Sequence, residues 1–388
     1  MGPENLNLTL TFAVLAALVG SLIGSFANVV IYRLPRGESV AWPGSHCPNC
    51  KRRLSPAELV PVLSWLVQRG RCRGCGRPIS GRYPLVELLM AGGFLGIALR
   101  WPPAEYGLTG VPLMVLFAVL LILTFIDIDT QTLPDALTLP ALLLALAATF
   151  VWAPDSGLPD LQGAFLGATI AAGALTLINR IGGLALRRFR DTAERLWPVG
   201  FDQVNIAALV GLLFGWQAGM LAALASLLLN LVTRRTVRLP EGPVYLLWLL
   251  GFLALPYLPW LELPAALEGS LVAAGSAALA GAFWWWLHSL ITPESAEQEP
   301  DPADDEPIAM GFGDAKLAAV LGALLGWQLF LVGLLAAIVL GAVIGLLGRL
   351  FGGERQIPFG PYLVAGGLLA LLYGDGLLSW YLGLLTIS

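Results

Sequence analysis

The chain has 388 residues, of which 57% are apolar and 12% charged, and its mean hydropathy is +0.77. These values exclude a soluble globular enzyme, because no soluble domain needs so much apolar surface, and they indicate a protein embedded in a lipid bilayer. The net charge of −4 says little by itself. In a membrane protein, what matters is the side of the bilayer on which the charges lie.

Twelve apolar segments are candidates for transmembrane helices, since about 20 apolar residues cross a hydrocarbon core of roughly 30 Å. They fall at residues 8–32, 84–101, 111–127, 134–153, 161–181, 203–216, 218–233, 243–261, 266–291, 313–326, 328–348 and 361–385. The first segment lacks both a preceding basic stretch and a following small-residue cleavage site, so we expect a retained helix rather than a signal peptide. The predicted fold class is an all-α polytopic membrane protein with about 12 transmembrane helices.

The basic residues predict the orientation of these segments, because loops rich in Lys and Arg stay in the cytoplasm. Ten basic residues lie at 33–82, five at 180–195 and three at 234–238. With Lys316, Arg349 and Arg355, these make 21 of the 22 basic residues on one side of a twelve-span topology. This topology puts the N-terminus outside and the first loop in the cytoplasm.

The first loop contains every cysteine, arranged as Cys47-x-x-Cys50 and Cys72-x-x-Cys75 with 21 residues between the pairs. Two such turns suit tetrahedral zinc, and four sulfur ligands leave no position for a catalytic water, so the predicted site is structural. The alternative is two disulfides, which a reducing cytoplasm disfavours. His46 is a further candidate ligand. A loop this short with little apolar content is expected to need the metal to fold.

Two carboxylates at membrane depth are the candidate catalytic residues, because an ionisable group there is costly and suggests function. Asp127 ends the third segment and Asp314 begins the tenth. In the twelve-span topology both lie at the cytoplasmic level. Two neighbouring carboxyl groups share one proton, as amide hydrolysis by a general acid and a general base requires. For Asp129 and Asp135 we expect a role at helix ends, and for Lys316 one as an inner-face anchor.

Five sequence blocks are specific as a set. They are Gly24-Ser-Phe-Ala-Asn-Val-Val-Ile-Tyr-Arg-Leu-Pro35, the paired cysteine turns, Gly81-Arg-Tyr-Pro-Leu-Val-Glu87, Asp127-Ile-Asp-Thr-Gln-Thr-Leu-Pro-Asp135 and Gly311-Phe-Gly-Asp-Ala-Lys316. Together they resemble the type IV prepilin peptidases, most densely over residues 20–140 and 305–375. The Gly-x-Gly-Asp element alone also occurs in presenilin-like proteases.

The resemblance implies a bifunctional enzyme of the bacterial inner membrane. It would remove the leader of prepilins and pseudopilins on the cytoplasmic side and then methylate the new N-terminus with S-adenosylmethionine. The family's catalytic aspartates fall on Asp127 and Asp314. Methyl transfer is associated with residues 24–87, but no cofactor-binding residue transfers. The implied partners are the pilin substrates, the lipid bilayer and components of a pilus or type II secretion system, with no nucleic acid.

An internal repeat accounts for a length about a hundred residues above that usual in the family. Gly211-Leu-Leu-Phe-Gly-Trp-Gln217 matches Gly322-Ala-Leu-Leu-Gly-Trp-Gln328 at five of seven positions, so a four-helix unit at 161–262 recurs at about 267–380. Chance similarity between apolar helices is the alternative. Gln203 occupies the position of Asp314 in the first copy and Asp202 lies one residue earlier, which predicts a non-catalytic lobe.

These features divide the chain into seven parts. They are the first transmembrane helix at 1–32, the cysteine loop at 33–83, helices with the first catalytic aspartate at 84–160, the duplicated lobe at 161–262, a helix at 263–291, an acidic and disordered cytoplasmic linker at 292–310, and helices with the second aspartate at 311–388.

Two functions of other classes compete with a peptidase. A transporter would use buried acids and repeated helices, but the repeats here contain four spans and the midplane carries no evident charge. A scaffold for a pilus or secretion assembly would keep the cysteine loop without chemistry. The presence of both aspartates favours the enzyme.

Overall fold

The computed structural model describes residues 3–185, 199–234, 241–257, 262–292, 311–350 and 358–386. Within these ranges the chain is helical, with two isolated β-bridges and no longer strand. It divides into two compact units, one formed by residues 1–137 and 143–158 and the other by residues 138–142 and 159–388. The all-α prediction is therefore confirmed for the described part of the chain.

The first unit contains five helices: α1 (Pro3–Arg33), α2 (Leu63–Val67), α3 (Arg82–Arg100), α4 (Pro103–Tyr106) and α5 (Gly110–Thr130). Short 3₁₀ turns lie at Leu34–Arg36, Pro56–Leu59 and Pro154–Ser156. The boundary between the units falls within α6 (Asp135–Ala148).

Helices α1 and α3 cross closely because α1 presents glycines at the contact. A Cβ atom on Gly24 would lie 2.7 Å from the Cα atom of Glu87, and one on Gly20 would lie 2.8 Å from the carbonyl oxygen of Met90. Small residues permit this approach, which in a bilayer replaces hydrophobic burial as the source of packing energy. Asn28 on α1 donates its side-chain amide to the carbonyl oxygen of Tyr83 at 3.2 Å, which joins the two helices where they leave the cysteine loop.

The second unit contains the helices after α6. They are α7 (Leu161–Ala185), α8 (Phe201–Phe214), α9 (Trp216–Thr233), α10 (Glu241–Ala254), α11 (Leu263–Ile291), α12 (Phe312–Leu350) and α13 (Gly360–Thr386), with a 3₁₀ turn at Leu255–Tyr257. Each of the twelve predicted segments thus overlaps a helix.

Fewer than twelve helices qualify as transmembrane spans when length and composition are the criterion. Seven described helices are long and apolar enough to cross a membrane, whereas α6, α8, α10 and the described apolar part of α13 are shorter apolar helices. The count of about twelve spans is therefore not confirmed. The seven qualifying helices nevertheless indicate a multi-pass membrane protein.

Glycine pairs also set the packing of the second unit. A Cβ atom on Gly167 of α7 would lie 2.1 Å from the carbonyl oxygen of Gly322 on α12, and one on Gly211 of α8 would lie 2.4 Å from that of Gly269 on α11. Each pair joins a helix from one proposed repeat to a helix from the other. Helices from residues 161–262 therefore pack against helices from residues 263–350 within this unit, instead of forming a separate bundle.

Positions that the predicted repeat would make equivalent share local structure. Gly215 after α8 has φ 84° and ψ 165°, and Gly326 inside α12 has φ 73° and ψ 167°, a conformation that favours glycine. The rings of Phe201 and Phe312, which also occupy equivalent positions, meet edge to face with centroids 5.5 Å apart. The first helical turns of α8 and α12 therefore lie side by side.

We expect Gly167→Ala to destabilise the second unit by about 1–3 kcal/mol, the usual cost of overpacking, because its methyl group would meet backbone that has no rotamer to change. Thermal unfolding in detergent measures this effect. The matched control is Gly182→Ala in the same helix, where a Cβ atom meets nothing within 4 Å. Equal melting temperatures for the two variants would contradict the packing described here.

Candidate functional site

The four cysteines converge on one point of the first unit. Their Sγ atoms all lie within 4.8 Å of one another, and those of Cys47 and Cys75 are 3.9 Å apart. Both turns are closed in the same way. The N–H of Cys47 donates to the carbonyl of Arg52 at 3.0 Å, and that of Cys72 donates to the carbonyl of Arg77 at 2.9 Å. The sequence prediction that the pairs come together is confirmed.

This donor set fits a tetrahedral metal. With a Zn–S distance of about 2.3 Å, tetrahedral geometry gives sulfur separations of about 3.8 Å, close to that between Cys47 and Cys75. The cluster found among the described residues comprises the four cysteines without His46, whose Nδ1 atom lies 3.1 Å from its neighbouring carbonyl at Gly44. The four thiolates would hold a zinc ion whose role is to fold the loop.

Backbone dipoles prepare one cysteine for this role. Hydrogen bonds from the N–H groups of Cys75 and Gly74 lower the pKa of the Cys72 thiol to about 6, because they stabilise the thiolate. A thiol must lose its proton to bind a metal, and these hydrogen bonds favour the deprotonated form of Cys72.

An ion pair between the buried Glu58 and the partly exposed Arg52 supports the cysteine turns. Both guanidinium nitrogens of Arg52 donate to the carboxylate of Glu58, and Ser55 donates to the same carboxylate through its N–H at 3.0 Å. These bonds hold the pKa of Glu58 at about 2, with the Arg52 hydrogen bond as the largest cause. Glu58 therefore stays charged at neutral and mildly acidic pH.

One contact fastens the cysteine loop to α3, and another joins the start of α3 to the end of α5. The N–H of Val62 donates to Oε2 of the buried Glu87 on α3 at 2.7 Å. Arg82, the first residue of α3, binds Oδ1 of Asp129 on α5 at 2.6 Å and donates to the carbonyl of Phe125 at 3.0 Å. Asp129, for which we expected only a helix-end role, thus forms an ion pair in the last turn of α5.

Asp127 lies in the first unit, one turn before the end of α5, with 5% of its surface exposed. The preceding residues of this helix form an almost unbroken apolar run. The backbone carbonyl of Asp127 accepts the N–H of Gln131, a residue in the left-handed conformation that ends the helix. Arg82 holds the same turn through Phe125 and Asp129. The carboxylate is thus buried on a helix end that is fixed from α3.

Asp314 lies in the second unit, in the first turn of α12, and is 9% exposed. Its N–H donates to the carbonyl of Gly311 at 3.2 Å, which begins the helix. Lys316 is also buried, with its Nζ atom 5.5 Å from the ring centroid of Phe312. The lysine thus packs within the first turn of α12, and its expected role as an inner-face anchor stays a prediction.

The positions equivalent to Asp314 and Lys316 in α8 carry neutral amides, Gln203 and Asn205, which are 3% and 1% exposed. Gln203 accepts the N–H of Gly200 at 2.7 Å and donates to Ser226 at 3.3 Å. Asn205 accepts the hydroxyl of Tyr245 at 2.6 Å. Sequence reasoning missed this network, although buried amides within an apolar segment could have indicated it.

Two further predictions concern the acidic linker and Asp135. Residues 293–310 of the predicted acidic linker lie outside the described residues. Asp135 begins α6, in agreement with its expected place at a helix end.

The fold and the site together define a multi-pass helical membrane protein that carries a four-cysteine module. Comparison with known proteins gives two family matches, a bacterial peptidase A24 N-terminal domain at residues 18–101 and the type IV leader peptidase family at residues 114–233 and 234–346. The chain belongs to the type IV leader peptidase family. Its recognition as an enzyme of this kind is thereby confirmed.

Similar proteins occur in several bacteria. A prepilin leader peptidase/N-methyltransferase of Aeromonas hydrophila is 30% identical over 395 aligned positions, which cover 95% of this chain and 93% of that protein. A second relative is the type 4 prepilin-like proteins leader peptide-processing enzyme of Escherichia coli O78:H11 (strain H10407 / ETEC). It is 38% identical, and the alignment covers 59% of this chain and 89% of that protein. The Neisseria gonorrhoeae prepilin leader peptidase/N-methyltransferase is 33% identical, with 62% and 87% covered. No solved structure matches.

Proposed function

We propose that the chain is an intramembrane aspartyl endopeptidase that removes the leader of type IV prepilins or pseudopilins at the cytoplasmic face, with Asp127 and Asp314 as its catalytic pair. The observation that carries this proposal is the burial of both carboxylates at the ends of long apolar helices. Burying an ionisable group there costs free energy, and such a group therefore suggests a function. Family membership and the activities for which the relatives are named support the same reaction.

The chemistry follows from one shared proton. The charged aspartate takes a proton from a water molecule, whose oxygen forms a bond to the scissile carbonyl carbon, while the protonated aspartate gives its proton to the carbonyl oxygen. The carbon–nitrogen bond of the resulting diol then breaks. The aspartate that took the proton from water gives it to the leaving amine nitrogen, and the other aspartate takes a proton from one hydroxyl of the diol. This step forms the carboxylic acid product and returns the pair to its starting state.

The proposal includes a second reaction, methylation of the new N-terminus with S-adenosylmethionine as methyl donor. It rests on the relatives, several of which are named N-methyltransferases. The N-terminal region with its cysteine module is the proposed location. Zinc at the four cysteines would keep this module folded and would not take part in the methyl transfer.

The experiment for this function uses the purified full chain in detergent or nanodiscs with a prepilin substrate and S-adenosylmethionine. Intact-mass spectrometry is expected to show loss of the leader and then addition of one methyl group to the mature pilin. Cleavage without the added mass would restrict the chain to the first reaction. Unchanged prepilins from several sources would overturn the proposal.

The lobe at 161–262 is proposed to be a non-catalytic duplicate that supports the active one. Its support is the neutral Gln203 at the position of Asp314 and the contact between Phe201 and Phe312, which places the duplicate against the first turn of α12. The remaining divisions of the chain, including the topology with the N-terminus outside, rest on the charge distribution and the sequence motifs.

This assignment predicts that Asp202→Asn leaves the rate of leader cleavage close to that of wild type. Asp202 is one residue before the position of a catalytic aspartate, and one residue on a helix turns the side chain by about 100°. The measurement is kcat/KM for prepilin cleavage, with Asp314→Asn as the inactive comparison. A loss in Asp202→Asn equal to that in Asp314→Asn would show that the lobe takes part in catalysis.

A further inference from the structure

The cysteine module has an unusual apolar surface between its two cysteine turns. Five side chains of residues 59–67 are exposed to a degree typical of polar residues; they are Leu59, Val60, Leu63, Leu66 and Val67, with Leu63 at 61% and Val67 at 71%. These residues are called the apolar segment below. No exposed charge interrupts it, because Glu58 is buried against Arg52 and the next charged residue is Arg69. A water-soluble surface rarely contains such a patch without a partner.

A hydrogen bond fixes the depth of the apolar segment. The N–H of Val62 donates to Glu87 at 2.7 Å. Glu87 lies five residues inside α3, whose 19 residues span about 28 Å at 1.5 Å per residue, barely enough for a hydrocarbon core of roughly 30 Å. Glu87 is therefore about 7 Å beyond the start of the span, and its side chain leans back toward that start. Val62 consequently lies at the level of the membrane boundary.

The surface of α3 next to the apolar segment also carries exposed apolar side chains. Leu85 and Leu88, on either side of Glu87 along α3, are exposed and belong to a helix that must face lipid. Tyr83, at the start of the helix, is exposed as well. The apolar segment is thus bonded to a helix at a level where that helix already presents apolar side chains outward.

The positive net charge of the cysteine module indicates which kind of partner the apolar segment would contact. Residues 37–81 contain seven basic residues and two acidic ones, Glu38 and Glu58, and exposed arginines follow the apolar segment at positions 69, 71, 73 and 77. Apolar side chains bordered by arginines are the pattern of elements that lie in the surface of an anionic membrane. A predominantly apolar protein partner would not explain the arginines.

We propose that the apolar segment is an interfacial anchor that inserts into the boundary between acyl chains and anionic headgroups in the leaflet next to the cysteine module. The bond between Val62 and Glu87 sets how deeply it inserts, and Trp65, whose indole N–H donates to the carbonyl of Ile79 at 3.1 Å, ties it to the second cysteine turn. The anchor holds the module against the bilayer. This inference does not depend on the proposed peptidase activity.

The test uses the full-length protein in nanodiscs of phosphatidylcholine and phosphatidylglycerol that contain a phosphatidylcholine with a photoreactive acyl chain. After irradiation and trypsin digestion, mass spectrometry compares three peptides, residues 54–69, 37–51 and 83–100. We expect the 54–69 peptide to be labelled several-fold more than 37–51, which carries the exposed Glu38 and Lys51. Labelling of 83–100, from α3, provides the reference for lipid contact.

A pair of variants separates insertion from folding. Leu63→Glu with Val67→Glu is expected to reduce labelling of 54–69 to the level of 37–51 with the metal content unchanged, whereas Leu63→Met with Val67→Ile is expected to keep it. Equal labelling of 54–69 and 37–51 in the wild type would overturn the proposal. So would labelling that disappears when unlabelled prepilin is added, since the apolar segment would then be a substrate surface.

Discussion

Replacing either Asp127 or Asp314 by Asn is expected to reduce kcat for prepilin cleavage by about 10²–10⁴-fold or more, the contribution of a positioned general acid or base. Asn keeps the size of the side chain and its hydrogen-bonding capacity but cannot exchange a proton. Each carboxyl group is buried at a helix end, so the substitution removes a titratable group from surroundings that exclude most water. The measurement is the rate of leader loss by intact-mass spectrometry.

The control for this prediction is the neighbouring Asp129→Asn. Asp129 is half exposed and paired with Arg82, so its loss weakens a surface ion pair, a contact worth little energy, and the proton-transfer groups remain. Cleavage should therefore fall far less than in Asp127→Asn. If Asp129→Asn were as slow as Asp127→Asn, the assignment of Asp127 as the reacting group would fail.

The second large effect concerns the metal. The double variant Cys47→Ser, Cys72→Ser is expected to bind no zinc and to lose the folded structure of the cysteine module, since metal-binding energies of about 10–16 kcal/mol in such sites are folding energies. Both replaced residues are the buried members of the cluster. Metal analysis of the purified protein and limited proteolysis of residues 37–81 provide the measurements. Methyl transfer, if it belongs to this module, should be lost as well.

His46→Ala is the matched control, because His46 adjoins Cys47 but lies outside the four-sulfur cluster. It should retain one zinc ion per chain and a protease-resistant module. Zinc retained in the double cysteine variant, or lost in His46→Ala, would show that the ligand set is different. A protein without metal whose module still resists proteolysis would show that the ion is not structural.

The sequence was sufficient to predict the features that depend on local patterns. Apolar segments predicted the positions of the helices, because a run of this length has no other stable form in a bilayer. The two Cys-x-x-Cys pairs predicted their own convergence, since each turn presents two thiolates in one direction. Burial of Asp127 and Asp314 followed from their place at the ends of such runs.

Features that depend on distant parts of the chain were not predictable in this way. The contact of Gly167 with Gly322 joins residues from different repeats, and only the packing of whole helices brings them together. The ion pair of Arg82 with Asp129 likewise connects two helices, so reasoning from Asp129 alone gave a helix-end role. Val62 has a positive φ of 61°, unfavourable for a β-branched residue, in a turn where the N–H of Leu63 donates to the carbonyl of Pro61. The bond of its N–H to Glu87, 25 residues later, also joins distant parts of the chain.

The central claim is that Asp127 and Asp314 act as one pair, and the most direct test compares kcat/KM of the two single Asn variants with that of the double variant. Residues that act as a unit are strongly non-additive. The proposed pair therefore predicts that the double variant cleaves prepilin about as slowly as either single variant. Losses that multiply, so that the double variant is slower by the product of the two single effects, would contradict a shared catalytic site.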